Sequence, residues 1–175
     1  MRVAVFMGSS PGPPSHQEVA TSLGRAIAEA GHGIVYGGAH VGLMGLVADA
    51  AMAAGGEVVG VIPSNLVERE VAHDHLTRLE RVGTMHERKA RMADLADAFV
   101  ALPGGVGTLD EIIEALSWSH LSLHAKPVAV YDVDGFWRPL LDLLDGMVEG
   151  GYVAAAARAG LRVVRSPAEV LGLVG

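Results

Sequence analysis

The chain has 175 residues, 50% of them hydrophobic, with 23 glycines, no cysteine and a formal net charge of −7. Such a length and apolar content suit one domain with a substantial core, so residues 1–175 are expected to fold as a single unit. With 13 Lys and Arg against 20 Asp and Glu, a nucleic-acid polymer is not an expected partner, and without cysteine there are no disulfides or thiolate metal sites.

In chain order, the opening MRVAVFMGSSPG has a short apolar run that ends in a Gly-Ser-Ser-Pro-Gly loop, which reads as a first core strand and not as a signal peptide. No apolar run approaches the roughly 20 residues that span a bilayer, so no membrane is expected and the location is read as cytoplasmic. Strands are predicted at Val3–Phe6, Gly33–Tyr36, Val58–Ile62, Ala98–Leu102, Pro127–Tyr131 and Leu161–Val164. These short runs rich in Val and Ala suit a parallel sheet buried on both faces. Helices are predicted between them. The first carries Val19, Leu23 and Ile27 in one stripe and stops at Gly31; others run from Gly42 to Ala54, from Met85, from Thr108 and from Phe136 to Met147. Four S/T-x-x-E patterns, Ser15 with Glu18, Thr84 with Glu87, Thr108 with Glu111 and Ser166 with Glu169, predict capping boxes. Strand and helix alternate, which predicts an α/β fold: a Rossmann-like, doubly wound parallel sheet of about six to seven strands with helices on both faces. Ligands of such sheets sit at the carboxyl ends of the strands.

Three glycine-bearing loops fall at that edge. Gly8-Ser9-Ser10 follows the first strand, Gly37 to Gly42 the second, and Gly104-Gly105-Val106-Gly107-Thr108 the fourth. Glycines between a buried strand and a helix let the backbone approach an anion, and the helix N-terminus favours negative charge. The loops therefore point to a phosphorylated small molecule. Neither G-x-G-x-x-G after the first strand nor G-x-x-x-x-G-K-[ST] is present, which argues against NAD enzymes and P-loop NTPases.

Glu111 admits two readings, a capping partner of Thr108 or an acid beside the phosphate; the glycine loop before it favours the second. Asp110 lies about 100° away around the helix and is expected to face elsewhere, while Glu114 and Trp118 share the face of Glu111. Arg88 and Arg91 line one face of the MHERKARM helix, and either meet solvent or bind phosphate. The His73–His75 pair lacks a third ligand, so no metal is expected. His120 reads as a core histidine. Lys89 and Lys126 are the two lysines, and Lys126 enters a strand at the end remote from the ligand edge.

With these residues in place, the chain resembles the Lonely Guy family of cytokinin riboside 5′-monophosphate phosphoribohydrolases, often labelled lysine decarboxylases. The family pattern PGGxGTxxE matches Pro103 to Glu111, MHERK matches Met85 to Lys89, and YGGAHVGLMG from Tyr36 resembles a second glycine loop. GVIP from Gly60, Ser117-Trp118 and HAKPVAVYDVDGFW from His124 follow the same pattern. The resemblance implies Arg88 and Glu111 as the catalytic pair and Gly104, Gly105, Gly107 and Thr108 as a phosphate cradle. It also puts Gly8, Ser9, Gly38, Lys89, Pro103 and Val106 in the substrate site. The implied reaction is hydrolysis of the N-glycosidic bond of a purine nucleoside 5′-monophosphate, either AMP or an N6-substituted cytokinin nucleotide. No metal or cofactor is required, and a homodimer that uses Trp118 and Leu121 is expected. Ala39, His40, Asp110 and His120 depart from the family pattern. The alternative is a non-catalytic nucleotide or molybdenum-cofactor carrier of the same fold. A pyridoxal phosphate decarboxylase is disfavoured by the scarcity of lysine.

Overall fold

A computed structural model describes residues 1–64 and 72–175. Seven strands, β1 (Arg2–Phe6), β2 (Gly33–Tyr36), β3 (Val58–Pro63), β4 (Arg78–Val82), β5 (Ala98–Ala101), β6 (Val128–Tyr131) and β7 (Leu161–Val164), form one sheet in the order β4-β3-β2-β1-β5-β6-β7. Every pairing is parallel. Side chains alternate between the faces of each strand, so the buried runs feed two separate cores. On one face Val3, Val5, Ile34 and Tyr36 meet α1 (Pro14–Glu29) and α2 (Gly42–Ala53) through Leu23, Ile27, Leu43 and Val47. On the other, Ala4, Phe6, Val35 and Phe99 meet α3 (Met85–Leu95), α4 (Val106–His120) and α5 (Arg138–Glu149) through Met92, Ile112 and Leu141. Two short helices, α6 (Ala155–Ala159) and α7 (Pro167–Leu171), flank β7.

The doubly wound sheet is thus as predicted, and the topology locates its crevice. β1 lies between β2 and β5, and the chain leaves β1 toward α1 on one face and leaves β5 toward α4 on the other. From this switch point the chain runs on to helices on opposite faces of the sheet, the place where ligands of such sheets sit.

Departures from the predicted elements have local causes. β4, RLERV, was not predicted: it is an edge strand with no fully buried residue, so it has no continuous apolar run. α6 is alanine-rich with no buried residue and lacks a periodic stripe. α5 starts at Arg138, two residues later than expected, with Pro139 in its first turn. Gly31 closes α1 as expected, at φ +75°, with its N–H bonded to the Ala28 carbonyl and that of His32 to Ile27.

In two of the four predicted capping boxes the N-cap hydroxyl bonds its helix, while the Glu side chain bonds the N–H one residue before the cap. Thr84 accepts the Glu87 N–H at 3.1 Å and Ser166 accepts that of Glu169 at 3.3 Å. α1 instead starts at Pro14, and Ser15 Oγ donates to Asp134 at 2.8 Å. α4 starts at Val106, so Thr108 lies inside the helix and cannot cap it.

β4 is tied to α3 by a two-pronged pair, Arg91 Nε to Glu80 at 2.6 Å and Nη2 at 3.1 Å. The hydrogen bond from Arg91, with its charge, holds the Glu80 carboxyl below its usual 4.5 despite some burial. A depressed acid stabilises the fold above its unfolded value and loses that contribution as pH falls through the folded value. Because Arg91 is 40% exposed, the pair is worth no more than about 1 kcal/mol. Glu80→Gln should therefore lower stability by up to about 1 kcal/mol at pH 7. In denaturant titrations, its difference from the wild type should shrink as pH falls below 4.5.

Candidate active site

The loop from Leu102 to Gly105 joins β5 to α4 and is pinned to the first loop, where Gly8 N–H donates to the Pro103 carbonyl at 3.2 Å. A Cβ on Gly104 would overlap Thr108 Oγ1 and stand 2.9 Å from the Gly8 nitrogen, so only glycine lets the loops close. Gly105 is the N-cap of α4, and Leu109 N–H is bonded back to the Gly105 carbonyl at 3.0 Å. By helix geometry the preceding N–H groups, of Val106, Gly107 and Thr108, have no carbonyl of the helix to bond. With the helix dipole behind them, such groups can act as a cradle for an anion. All three residues line a cavity of about 270 Å³ with Gly8 and Ser9. Of the predicted span, Gly105 to Thr108 line the cavity, and Pro103 and Gly104 lie outside its wall.

Arg88 enters the same cavity from α3. The sequence left open whether this helix presents a solvated basic face; it does not. Arg88 is 6% exposed, with Nε donating to the Val61 carbonyl at 3.1 Å and Nη2 to that of Gly37 at 3.1 Å. A carbonyl within β3 and one just past β2 therefore orient the guanidinium and offset part of its desolvation. A Cβ on Gly37 would occupy the position of Arg88 Nη2. The two neighbouring cations go elsewhere: Arg91 to Glu80, and Lys89 Nζ to Asp110 at 2.9 Å and Glu114 at 2.8 Å. Lys89, expected in the substrate site, is not among the residues of the cavity wall.

Glu111, half-buried, faces the cavity together with Arg88. Asp110 also lines it, contrary to the helical-angle expectation, because the cavity wraps around the first turn of α4. Gly38 lies beyond the wall: at φ +82° it packs on Ile62 and Leu79, and its carbonyl accepts the His73 N–H at 2.9 Å. Ala39 is buried and His40 exposed, and neither reaches the wall.

His73 is held by Asp49 at 2.9 Å, and no group of three or more metal-binding side chains occurs among the described residues. His120 is exposed on α4, not in the core as expected, because the apolar side of that helix turn opens into a groove. Met7, Met44 and Met85, three of the seven methionines, line the cavity and were missed in the sequence. They come from the loop after β1, from α2 and from α3, so no local pattern marks them.

A second feature lies beside α4. Leu109, Ile113, Leu116, Leu140, Leu143 and Met147 form an apolar groove of about 550 Å³ between α4 and α5. Leu143 is 56% exposed there.

The sequence model of a family described as "Possible lysine decarboxylase" matches residues 44–174. The chain is 49% identical over 158 residues to the cytokinin riboside 5′-monophosphate phosphoribohydrolase of Rhodococcoides fascians, across 89% of this chain and 80% of that protein. It is 47% identical over 158 residues to the enzyme of that name, LOG, from Oryza sativa subsp. japonica, across 90% of this chain. The chain spans 65% of the length of that rice protein. Among solved structures, the molybdenum cofactor binding protein of Rippkaea orientalis shares the fold, with a TM-score of 0.74 and 23% identity over 99% of this chain and 94% of that one.

The grip on Arg88 generates a direct test. Gly37→Ala should force the guanidinium off its carbonyls and cost about 1–3 kcal/mol, a melting point lower by roughly 3–10 °C. Gly146→Ala, where a Cβ meets nothing within 4 Å, should be neutral or gain up to about 1 kcal/mol. Equal effects in thermal melts would remove the special status of Gly37.

Proposed function

We propose, from the premise that this chain belongs to the cytokinin riboside 5′-monophosphate phosphoribohydrolase family, that it hydrolyses a purine nucleoside 5′-monophosphate to free base and ribose 5-phosphate. The observation that carries this reading is the convergence of three features on one cavity: the first turn of α4, the carbonyl-held Arg88 and Glu111.

In this reading the 5′-phosphate docks on the N–H groups of Val106, Gly107 and Thr108, which presents the anomeric carbon to Glu111. The C1′–N bond to the purine breaks and its electron pair leaves with the base. The ribosyl centre gains oxocarbenium character, as in O-glycoside cleavage. Glu111 stabilises that developing charge and takes a proton from the water that adds to C1′; the departing base takes up a proton in turn. Arg88, rigid between two strand ends, holds ribosyl or phosphate oxygens. The three methionines supply a deformable apolar wall suited to a purine and its substituent.

A Schiff-base decarboxylation fits these residues poorly. Lys89 is committed to two carboxylates, and Lys126 donates to the Ala93 carbonyl at 2.6 Å; neither lines the cavity. A carrier role would use the cradle without Glu111. No helix among the described residues is long and apolar enough to cross a membrane. A cytoplasmic location is part of this reading. A homodimer is also part of it, formed by burying the α4–α5 groove of one copy against another.

Incubation with AMP and with N6-isopentenyl-AMP should release base and ribose 5-phosphate, resolved by chromatography, and a chelator should leave the rate unchanged. Binding without base release would favour the carrier. Glu111→Gln should lower kcat by about 10²-fold or more while nucleotide still binds, and Arg88→Ala should lose turnover and weaken binding. Light scattering should give twice the 18.1 kDa of one chain, and Leu143→Glu should return the mass to 18.1 kDa; a monomeric wild type would remove the dimer.

A further inference from the structure

The cradle on α4 has an acid in its own wall. Asp110 stands one turn into the helix, lines the cavity with Val106, Gly107 and Thr108, and its side chain is 60% exposed. An unopposed carboxylate there repels the phosphate that the amides attract. Glu114, one turn further along, adds a second negative charge and is 24% exposed.

Both acids meet one cation. Lys89 Nζ lies 2.9 Å from Asp110 Oδ2 and 2.8 Å from Glu114 Oε2, and its side chain is only 11% exposed. Burial alone pulls the ammonium toward neutrality, but the bonds from Glu114 and Asp110 outweigh it and the pKa ends above its usual value. The group is therefore charged at neutral pH. It reaches the acids from α3 and stays off the cavity wall, so its effect on a ligand passes through them.

We infer that Lys89 is a positioning residue that acts through Asp110 and Glu114, neutralising carboxylates that would otherwise weaken phosphate binding at the head of α4. The inference rests on the proposed docking of the phosphate there and deepens it. It also differs from direct contact between the lysine and the ligand, the role implied by the family resemblance. With Lys89 present, two carboxylates and one ammonium leave a single net negative charge. Without it two remain; with all three groups neutral, none does.

The test measures AMP affinity by calorimetry in the Glu111→Gln background, where turnover does not interfere. Adding Lys89→Met should weaken AMP about tenfold, the scale of one uncompensated charge at close range. Adding Lys89→Met, Asp110→Asn and Glu114→Gln together should restore the affinity to within about threefold of the parent, or tighten it. Lys89→Arg should keep parental affinity, because a guanidinium can serve both carboxylates.

A triply neutral variant that binds as weakly as Lys89→Met overturns the inference, since the lysine then acts by touching the ligand or by bracing the helices. Unchanged affinity in Lys89→Met overturns it as well. A parent that does not bind AMP removes the docking reading itself, an outcome distinct from either of these. Thermal melts of each variant check folding, and a well-folded Lys89→Met with weakened affinity is the expected pairing.

Discussion

An arginine with only 6% of its surface exposed must have its donors met, and the carbonyls of Gly37 and Val61 meet two of them at 3.1 Å. The arrangement around the cavity depends on this contact. One carbonyl belongs to β3 and the other to the first residue after β2, its parallel neighbour, so the guanidinium plane is fixed from the edge of the sheet. The contact also places a demand on the sequence: Gly37 must lack a Cβ, and α3 must begin where Thr84 caps it, one turn before Arg88.

The second constraint is electrostatic. A chain with a net charge of −7 has no long-range field that draws in an anion. In the proposed function, attraction comes from dipoles a few ångströms away, which α4 supplies through N–H groups that no helical carbonyl satisfies. Negative charge near that point must then be balanced locally. Lys89 spans Asp110 and Glu114 while Arg88, its neighbour in sequence, bonds the carbonyls of Gly37 and Val61.

Buried apolar strands and their alternation with amphipathic helices could be read directly, because the period of a buried element is written in consecutive residues. β4 could not: an edge strand covered on one side carries charges at Arg78, Glu80 and Arg81 and looks like loop. Glycine loops were legible as a group, but the start of α4 was not. Thr108 with Glu111 is a sound capping pattern, and only the packing of Thr108 against Gly104, with 3% of the residue exposed, makes it an interior helical residue.

The sequence by itself determined the fold class, the edge of the sheet that carries the cavity, and several of the residue types that meet there, since these follow from local periodicity and from glycine between strand and helix. Tertiary structure alone decided the partners. It turned Arg88 inward and Arg91 outward, gave Lys89 to two carboxylates, set Gly38 against β3, and brought Met7, Met44 and Met85 to one wall. These outcomes depend on the order of strands in the sheet, which places residues distant in the chain within a few ångströms and which no local pattern encodes.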